Sequence, residues 1–290
     1  SEGNDQGTFT EGNATNKGLA RTKNQDAVLV FSLSENTADG SEITVSTGWI
    51  IADGMGGHSV GEKASDVIRA GFAREFAKSD KNLSVDKRIQ QTLDVLNPRI
   101  PAHSGTTVVG AIKSSEGLIL FGVGDSQALV VGKDGKVIRD KRKQEIMTRS
   151  HGLVDRLFEY GQLTKIEMAF HPQRNMISRT MGEGDDHTAD FVIISNEELV
   201  DLGKQGARLL IHSDGLEYAW IGHQVDKNDN PVGHTVVDSN LGSDVIASSL
   251  SKGSPLEVTK ELIKQAITPK PIPIDRAQSR DAKRVKDGKV

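Results

Sequence analysis

The sequence predicts an α+β fold in which antiparallel strands are combined with amphipathic helices. Apolar runs at 27–31 and 43–52 flank a polar turn, which is the pattern of a β-hairpin. An antiparallel meander is indicated by apolar runs with short connections at 108–112, 117–123, 128–131 and 136–138. Between these two groups, the segment 62–78 has one apolar face at helical spacing, formed by Ala64, Ile68, Phe72 and Phe76.

The next elements are a second helix and a longer helical excursion. Apolar residues at helical spacing predict a helix from Val85 to Leu96, and Pro98 ends it. Residues 148–185 are interpreted as helical. They contain a helix that ends at Gly161, and a capping box from Thr164 to Glu167 that opens another.

The last third of the chain is more polar. Strands are predicted at 191–194 and 209–212, and a long polar loop at 222–244. A capping box at Ser254 and Glu257 opens a final helix. An extended segment follows it, because it contains Pro269, Pro271 and Pro273.

Composition excludes several classes of function. The chain has 290 residues, a formal net charge of −4 with both signs mixed, and no cysteine. The mixed charge argues against nucleic acid or a membrane surface as the main partner. Without cysteine there is no disulfide, no thiolate nucleophile and no thiolate metal site. No apolar run approaches the length of a membrane span, and the N-terminal residues show no signal-peptide pattern.

The segment 48–62 carries the first chemical signal. A short apolar strand, 49–52, ends at Asp53, and a glycine-rich turn and a helix follow. A carboxylate at the end of a buried strand is poorly solvated and needs a cation or a fixed donor. Two interpretations fit this segment equally well. One is an oxygen-ligand metal site formed by Asp53 and a nearby backbone carbonyl. The other is a tight strand-to-helix turn whose acid caps the helix.

Three separate strands end in the same way. Asp53, Asp125 and Asp214 each follow an apolar run and precede glycine or a small residue. Gathered carboxylates repel one another and burial raises their pKa, so three of them indicate a shared cation site. Oxygen ligands without cysteine favour Mg²⁺ or Mn²⁺ over Zn²⁺. Two such ions would activate a water for attack on a phosphoryl group. Arg21, at a strand end, would bind phosphate oxygens, although taken alone it is better interpreted as a solvated surface arginine.

These features together resemble a known family. Six motifs stand in the order found in the metal-dependent serine/threonine protein phosphatases of type 2C, the PPM family, in their bacterial form. The motifs are Arg21–Asp26, Ala52–Glu62, Gly105–Thr107, Gly124–Ser126, His171–Asn175 and Ser213–Leu216.

The resemblance implies a four-layer αββα sandwich, with a central antiparallel β-sandwich flanked by helices. It implies one domain over residues 1–290, with a mobile flap at about 145–190 and a polar insertion at about 222–244. It also implies two Mn²⁺ or Mg²⁺ ions and a third, weaker ion.

The resemblance assigns roles to individual residues. Asp53 would bridge two metals, and the carbonyl of Gly54 and the acid Asp214 would each bind one. Asp125 would help to hold the third ion, and Asp26 would contact metal through water. Arg21 would bind phosphate, and Asp281 is the candidate last ligand.

Four positions depart from the family pattern. Gln25 and Met55 stand where eukaryotic members often have an acid and a histidine, and Gln127 stands where arginine is common. Ala282 follows Asp281 where asparagine is usual, and the strand after it is unusually polar. Without the histidine, the proton for the leaving group must come from water or elsewhere.

The expected function is hydrolysis of phosphoserine and phosphothreonine in proteins by a metal-activated water, without a covalent intermediate. The expected substrates are targets of a cognate kinase in bacterial signalling, and the expected form is a cytoplasmic monomer. The alternative is a catalytically weak or silent module of the same fold that binds a phosphoprotein partner.

Overall fold

The computed structural model describes residues 11–16, 23–56, 60–164, 167–168, 171–182, 184, 186–219, 221–225, 231–236, 243–267 and 271–273. The strands in these ranges are β1 (Asp26–Asn36), β2 (Glu42–Met55), β3 (Gly105–Thr106), β4 (Val108–Ser114), β5 (Gly117–Val123), β6 (Gln127–Val131), β7 (Met181–Gly182), β8 (Asp190–Ile194), β9 (Arg208–His212), β10 (Ile221–Val225), β11 (Pro231–Val236) and β12 (Pro271–Pro273). The α-helices are α1 (Val60–Lys78), α2 (Val85–Leu96), α3 (Leu153–Glu159), α4 (Asn196–Lys204), α5 (Ser243–Leu250) and α6 (Pro255–Ile267).

The main sheet has seven strands in the order β7-β3-β2-β4-β5-β8, with β1 also paired to β2. Its pairings are antiparallel, and the predicted hairpin is confirmed, with Val30 opposite Trp49. Strand β6 leaves this sheet and pairs antiparallel with β9 to form a second sheet.

The predicted meander is therefore only partly right. Strands β4 and β5 are neighbours as predicted, but β6 joins the other sheet. The predicted short connection between 128–131 and 136–138 forms a turn, with Gly135 at a φ of 74°. The strand predicted at 136–138 is reduced to an isolated bridge between Val131 and Val137.

Four layers follow from the alternation of apolar side chains. Along β4, Val108 and Ile112 pack on the side of α1 and α2, whereas Val109 and Ala111 face the second sheet. Because successive side chains of a strand point to opposite faces, such a strand must be covered on both sides.

The second sheet is covered in the same way. Ala128 and Val130 face the main sheet, and Leu129 and Val131 pack against α5 and α6. The order of layers is helix, sheet, sheet, helix, so the predicted αββα sandwich is confirmed.

Helix α1 anchors the outer layer on the main sheet. Its predicted apolar face is buried, and Phe72 stacks on both Phe76 and Phe121. Such aromatic pairs contribute about 0.5–1.5 kcal/mol each beyond the area they bury. The packing fixes the helix whose first turn follows the Asp53 segment.

The prediction of helical structure at 148–185 is only partly right: α3 forms, but 148–152 and 171–182 are not helical. The predicted local signals are present. Gly161 ends the turn after α3 with a φ of 68°. The capping box is present, since the Glu167 carboxylate accepts from the Thr164 amide and Thr164 Oγ1 accepts from the Glu167 amide at 3.3 Å. Near the end of this segment, β7 adds to the main sheet by pairing with β3.

The loop predicted at 222–244 is wrong for 222–225 and 231–236, which form the β10–β11 hairpin, and for 243–244, which begin α5. Strand β12 runs parallel to β10 beside the hairpin. Strand pairing uses backbone groups, so a polar segment can form a hairpin without the apolar alternation that reveals a strand in sequence. The extended conformation predicted around Pro271 and Pro273 is confirmed by β12.

Within the described ranges, no helix combines the length and apolar character needed to cross a membrane.

Candidate metal centre

Asp53 lies at the end of β2, opposite Asp26 in the register with β1. It is 7% exposed, and its backbone is fixed from the β3–β4 corner. The Asp53 amide donates to Thr107 Oγ1 at 3.1 Å, and the Asp53 carbonyl accepts from the Thr107 amide at 2.9 Å. Thr106 Oγ1 also donates to that carbonyl, at 3.0 Å. These bonds hold the carboxylate at a defined place on a rigid strand.

Gly54 allows the strand end to touch the start of α1. A Cβ atom at this position would lie 2.0 Å from the carbonyl oxygen of Gly61. The Gly54 amide donates to the Gln25 carbonyl at 3.1 Å, and Gln25 Nε2 donates to the Gly56 carbonyl at 3.2 Å. Gly54 is therefore required by close backbone approach, and Gln25 has a structural role in holding the turn.

Asp125 and Asp214 are brought together by the second sheet. In the β6–β9 pair, Gln127 lies opposite His212. Asp125 precedes Gln127 by two residues and Asp214 follows His212 by two, so both acids leave the sheet at the same end. The pKa of Asp125 is raised to about 7, mainly by burial and in part by the negative charges of Asp214 and Asp155. The carboxylates are therefore close enough to repel one another.

Thr107 joins the two halves of the site. Its Oγ1 accepts from the Asp53 amide and lies 2.8 Å from Ser126 Oγ, next to Asp125. A second link runs from Ser213 Oγ to Asp26 Oδ2, at 3.4 Å. These bonds link the ends of β1, β2, β5 and β9, where four predicted acids lie: Asp26, Asp53, Asp125 and Asp214.

Two of the predicted residues, Arg21 and Asp281, lie outside the described residues. In the part of the chain that is described, no set of three or more acidic or histidine side chains is arranged closely enough to hold a metal ion. The chemistry of the described donors nevertheless fits a hard divalent cation. They are carboxylates and the Gly54 carbonyl, and they lie at one end of the two sheets. Burial is the main cause of the raised pKa of Asp125, but the negative charges of Asp214 and Asp155 also raise it, and a cation would offset those charges.

Three residues of the site were not predicted from the sequence. Thr107 belongs to one of the predicted motifs, but its role in linking Asp53 to Ser126 depends on a contact with Asp53, which is distant in sequence. Asp155 lies in the first turn of α3, with its carboxylate accepting from Ser150 Oγ at 2.6 Å. It follows no apolar strand, so the pattern shared by the other acids could not reveal it.

The third unpredicted residue is His151, which is 4% exposed. The Gly124 amide donates to its Nδ1 at 3.0 Å, and Nε2 lies 3.1 Å from Asp190 Oδ2. Burial lowers the pKa of His151, although the carboxylate of Asp190 acts in the opposite direction. Burial alone would raise the pKa of Asp190, but contacts with His151 and Arg179 lower it overall. Burial therefore favours a neutral imidazole, and the contacts with His151 and Arg179 favour an ionised Asp190 carboxylate.

Comparison with known proteins points to one family. The family model of protein phosphatase 2C matches residues 14–156. A protein of Streptococcus pyogenes described as a putative protein phosphatase 2C-type is 32% identical over 212 residues, which cover 70% of this chain and 76% of the relative.

Solved structures agree on the fold. The S. agalactiae serine/threonine phosphatase is similar with a TM-score of 0.58 and 25% identity, over 86% of this chain and 89% of that one. The catalytic domain of the serine/threonine protein phosphatase PstP, solved in complex with two manganese ions, is similar with a TM-score of 0.52 and 22% identity, over 86% and 87% of the two chains.

We predict that Gly54→Ala destabilises the protein by about 1–3 kcal/mol, because the new methyl group would overlap the backbone of Gly61. The matched control is Gly203→Ala in α4, where a Cβ atom meets nothing within 4 Å. There alanine should stabilise the helix by up to about 1 kcal/mol. Urea denaturation of the two variants measures both effects, and equal stability of the Gly54 variant and the unchanged protein would contradict the close approach.

A pH dependence follows from the lowered pKa of His151. In the unfolded chain a histidine has a pKa of about 6.5, so the neutral, folded His151 contributes fully above that pH and less as pH falls toward its lowered folded value. The unfolding free energy of the unchanged protein, relative to His151→Asn, should therefore decrease from about pH 7.5 to about pH 5.5. Urea denaturation in EDTA at several pH values measures the difference.

The control for this pH series is His187→Asn, which breaks another histidine–aspartate contact, to Asp94 at 3.1 Å. A difference between the unchanged protein and His151→Asn that stays constant over the pH range would show that the histidine does not titrate as inferred.

Proposed function

Because the chain belongs to the protein phosphatase 2C family and is a serine/threonine protein phosphatase, we propose that it hydrolyses phosphoserine and phosphothreonine with the help of Mn²⁺ or Mg²⁺. The observation that carries the metal dependence is the convergence of Asp53, Asp125 and Asp214 from three strands on one end of the two sheets. The Mn²⁺-bound PstP structure supports the choice of cation, since that protein has the same fold.

The proposed ligands are the acids predicted from the sequence. Asp53, the Gly54 carbonyl, Asp214 and Asp281 would hold two ions. Asp26 would act through water, and Asp125 with Asp214 would hold a weaker third ion. When bound, the cations neutralise phosphate charge and lower the pKa of water that attacks the phosphorus.

The protein itself supplies position and charge. Thr106 and Thr107 fix the backbone that carries Asp53. The Arg21 guanidinium binds the phosphate oxygens of the substrate and orients them for in-line attack. Water provides the attacking oxygen, the bond between phosphorus and the seryl or threonyl oxygen breaks, and the departing oxygen takes a proton from solvent. Met55 follows Gly54 and has no proton to give.

The expected substrates are phosphorylated proteins that a cognate kinase modifies. The segment 145–190 is the candidate region for choosing among them, since α3 begins beside Asp125. Gln25 lacks the carboxylate that eukaryotic members often have there, and such a loss would favour the alternative of a silent binding module. Its amide instead holds the glycine turn through Gly56, which accounts for this residue without loss of the metal centre.

We predict that the protein hydrolyses a phosphothreonine peptide with Mn²⁺ and loses this activity in EDTA. Asp53→Asn should reduce turnover by more than about 100-fold, because even partners one step removed from a metal ligand are worth 10–100-fold. Hydrolysis is followed by release of inorganic phosphate. The matched control is Asp201→Asn, which removes an exposed carboxylate on α4 that pairs only loosely with Lys204.

Two results would contradict the proposal. One is full turnover by Asp53→Asn, and the other is no Mn²⁺-dependent turnover by the unchanged protein. The second result, together with a folded protein, would favour the silent binding module.

A further inference from the structure

The peptide that leads into Asp125 is bound on both sides by one residue, His151. The Gly124 amide donates to His151 Nδ1 at 3.0 Å, and the His151 amide donates to the Gly124 carbonyl at 2.9 Å. Gly124 has a φ of +106°, a conformation that favours glycine, and a Cβ atom there would lie 2.7 Å from the Thr107 side chain. Any other residue at position 124 would be strained and would overlap Thr107. Because glycine has no side chain to hold it in place, the orientation of the Gly124 peptide depends on its hydrogen bonds to His151.

The contact with Gly124 defines which nitrogen of His151 carries the proton. A backbone amide can only donate, so Nδ1 is the acceptor and the neutral ring is protonated at Nε2. Nε2 then donates to Asp190 Oδ2 at 3.1 Å, and Asp190 Oδ1 accepts from Arg179 at 3.0 Å. Arg179 also approaches Nε2 at 3.4 Å, but both atoms are donors, so Asp190 is the favourable partner of each.

The other side of Asp125 is fixed independently. Ser126 Oγ lies 2.8 Å from Thr107 Oγ1, and Thr107 accepts from the amide of Asp53. Asp125 is thus held between two anchors. One leads to Asp53 through Thr107, and the other leads to Asp190 and Arg179 through His151.

We propose that His151 is a positioning residue that sets the place of Asp125 in the metal centre, and that Asp190 and Arg179 orient His151 for this purpose. The proposal rests on the proposed function, because it assigns Asp125 to a cation. His151 does not touch substrate or metal. It acts through the Gly124 peptide, as a partner one step removed from a ligand.

The same chain of hydrogen bonds connects Asp125 to both ends of the segment 145–190. The His151 carbonyl accepts from the Ser178 amide at 2.9 Å and from Ser178 Oγ at 3.1 Å. Arg179 also pairs with Asp186, at 3.0 Å. His151, near the start of this segment, is therefore hydrogen-bonded to Ser178 and Asp190, near its end. The two ends of the segment meet at the residue that holds Gly124. A rearrangement of this segment would be transmitted to Asp125. In the other direction, cation binding at Asp125 would order the two ends of the segment.

Two substitutions separate the two bonds of the imidazole. In His151→Asn the side-chain oxygen can occupy the place of Nδ1 and still accept from Gly124, but the bond to Asp190 is lost. In His151→Gln the side-chain amide can reach the place of Nε2 and still donate to Asp190, but the acceptor for Gly124 is lost. A general packing role would make the two variants similar, whereas positioning of Asp125 makes the glutamine variant worse.

The test is isothermal titration of Mn²⁺ into the metal-free protein. We expect His151→Gln to weaken the weakest Mn²⁺ binding event by about 10–100-fold, the range found for partners of metal ligands, and His151→Asn to weaken it much less. The matched control is His187→Asn, in which the contact to Asp94 is removed while Gly124 and Asp125 are left untouched. This control should bind Mn²⁺ like the unchanged protein.

A second measurement uses the unchanged protein and therefore does not depend on whether a variant folds. The ring nitrogens of His151, observed by ¹⁵N NMR in metal-free protein, should show protonation at Nε2. Protonation at Nδ1 would overturn the proposal, and so would equal Mn²⁺ affinity of both His151 variants, whether unchanged or equally weakened.

The outcomes also separate this proposal from the proposed function. If the unchanged protein binds Mn²⁺ and hydrolyses phosphopeptide, equal behaviour of the two variants overturns the role of His151 alone. If the unchanged protein binds no Mn²⁺, the proposed function and the role of His151 are overturned together.

Discussion

Repulsion between carboxylates gathered at the ends of buried strands is the constraint on which the rest of the structure depends. Asp53 is almost fully buried, and Asp214 and Asp155 add to the burial that raises the pKa of Asp125 to about 7. Such a cluster opposes folding unless positive charge or protons balance it. Asp53 lies within β2, and Asp125 and Asp214 directly follow β5 and β9, so all three acids lie at or beside paired strands. This is the arrangement that the proposed cation site requires, and the remainder of the fold must offset its cost.

The surrounding fold supplies that support through backbone contacts more than through side-chain charge. The Asp53 peptide is bonded to Thr106 and Thr107, and Gly54 lies directly against Gly61 at the start of α1. Thr107 then reaches Ser126, so the main sheet and the second sheet are joined at the site itself. The apolar layers behind it, including Phe72 stacked on Phe121, keep α1 pressed on the sheet. The contacts that pack the core therefore also fix the position of the Asp53 segment.

Much of this could be predicted from local sequence patterns. The hairpin, the apolar face of α1 and the strand-end position of Asp53, Asp125 and Asp214 all follow from periodicity, and the structure confirms them. Sequence patterns could not show that β6 pairs with β9. That pairing depends on which elements cover the two faces of β6, the main sheet on one side and α5 and α6 on the other. The patterns also missed the β10–β11 hairpin, whose segment is polar. The roles of Thr107 and His151 depend on contacts 54 and 27 residues apart in sequence, for which no local signal exists. Arg21 and Asp281 remain predictions.

The measurement that tests the central claim most directly is thermal unfolding of the unchanged protein and of Asp53→Asn over a series of Mn²⁺ concentrations, with EDTA as the metal-free reference. A cation that binds only the folded state stabilises it by mass action. The melting temperature of the unchanged protein should therefore rise with Mn²⁺ concentration, and that of Asp53→Asn should rise much less. Melting curves of the unchanged protein that coincide in Mn²⁺ and in EDTA would contradict the claim that these acids are gathered for a cation.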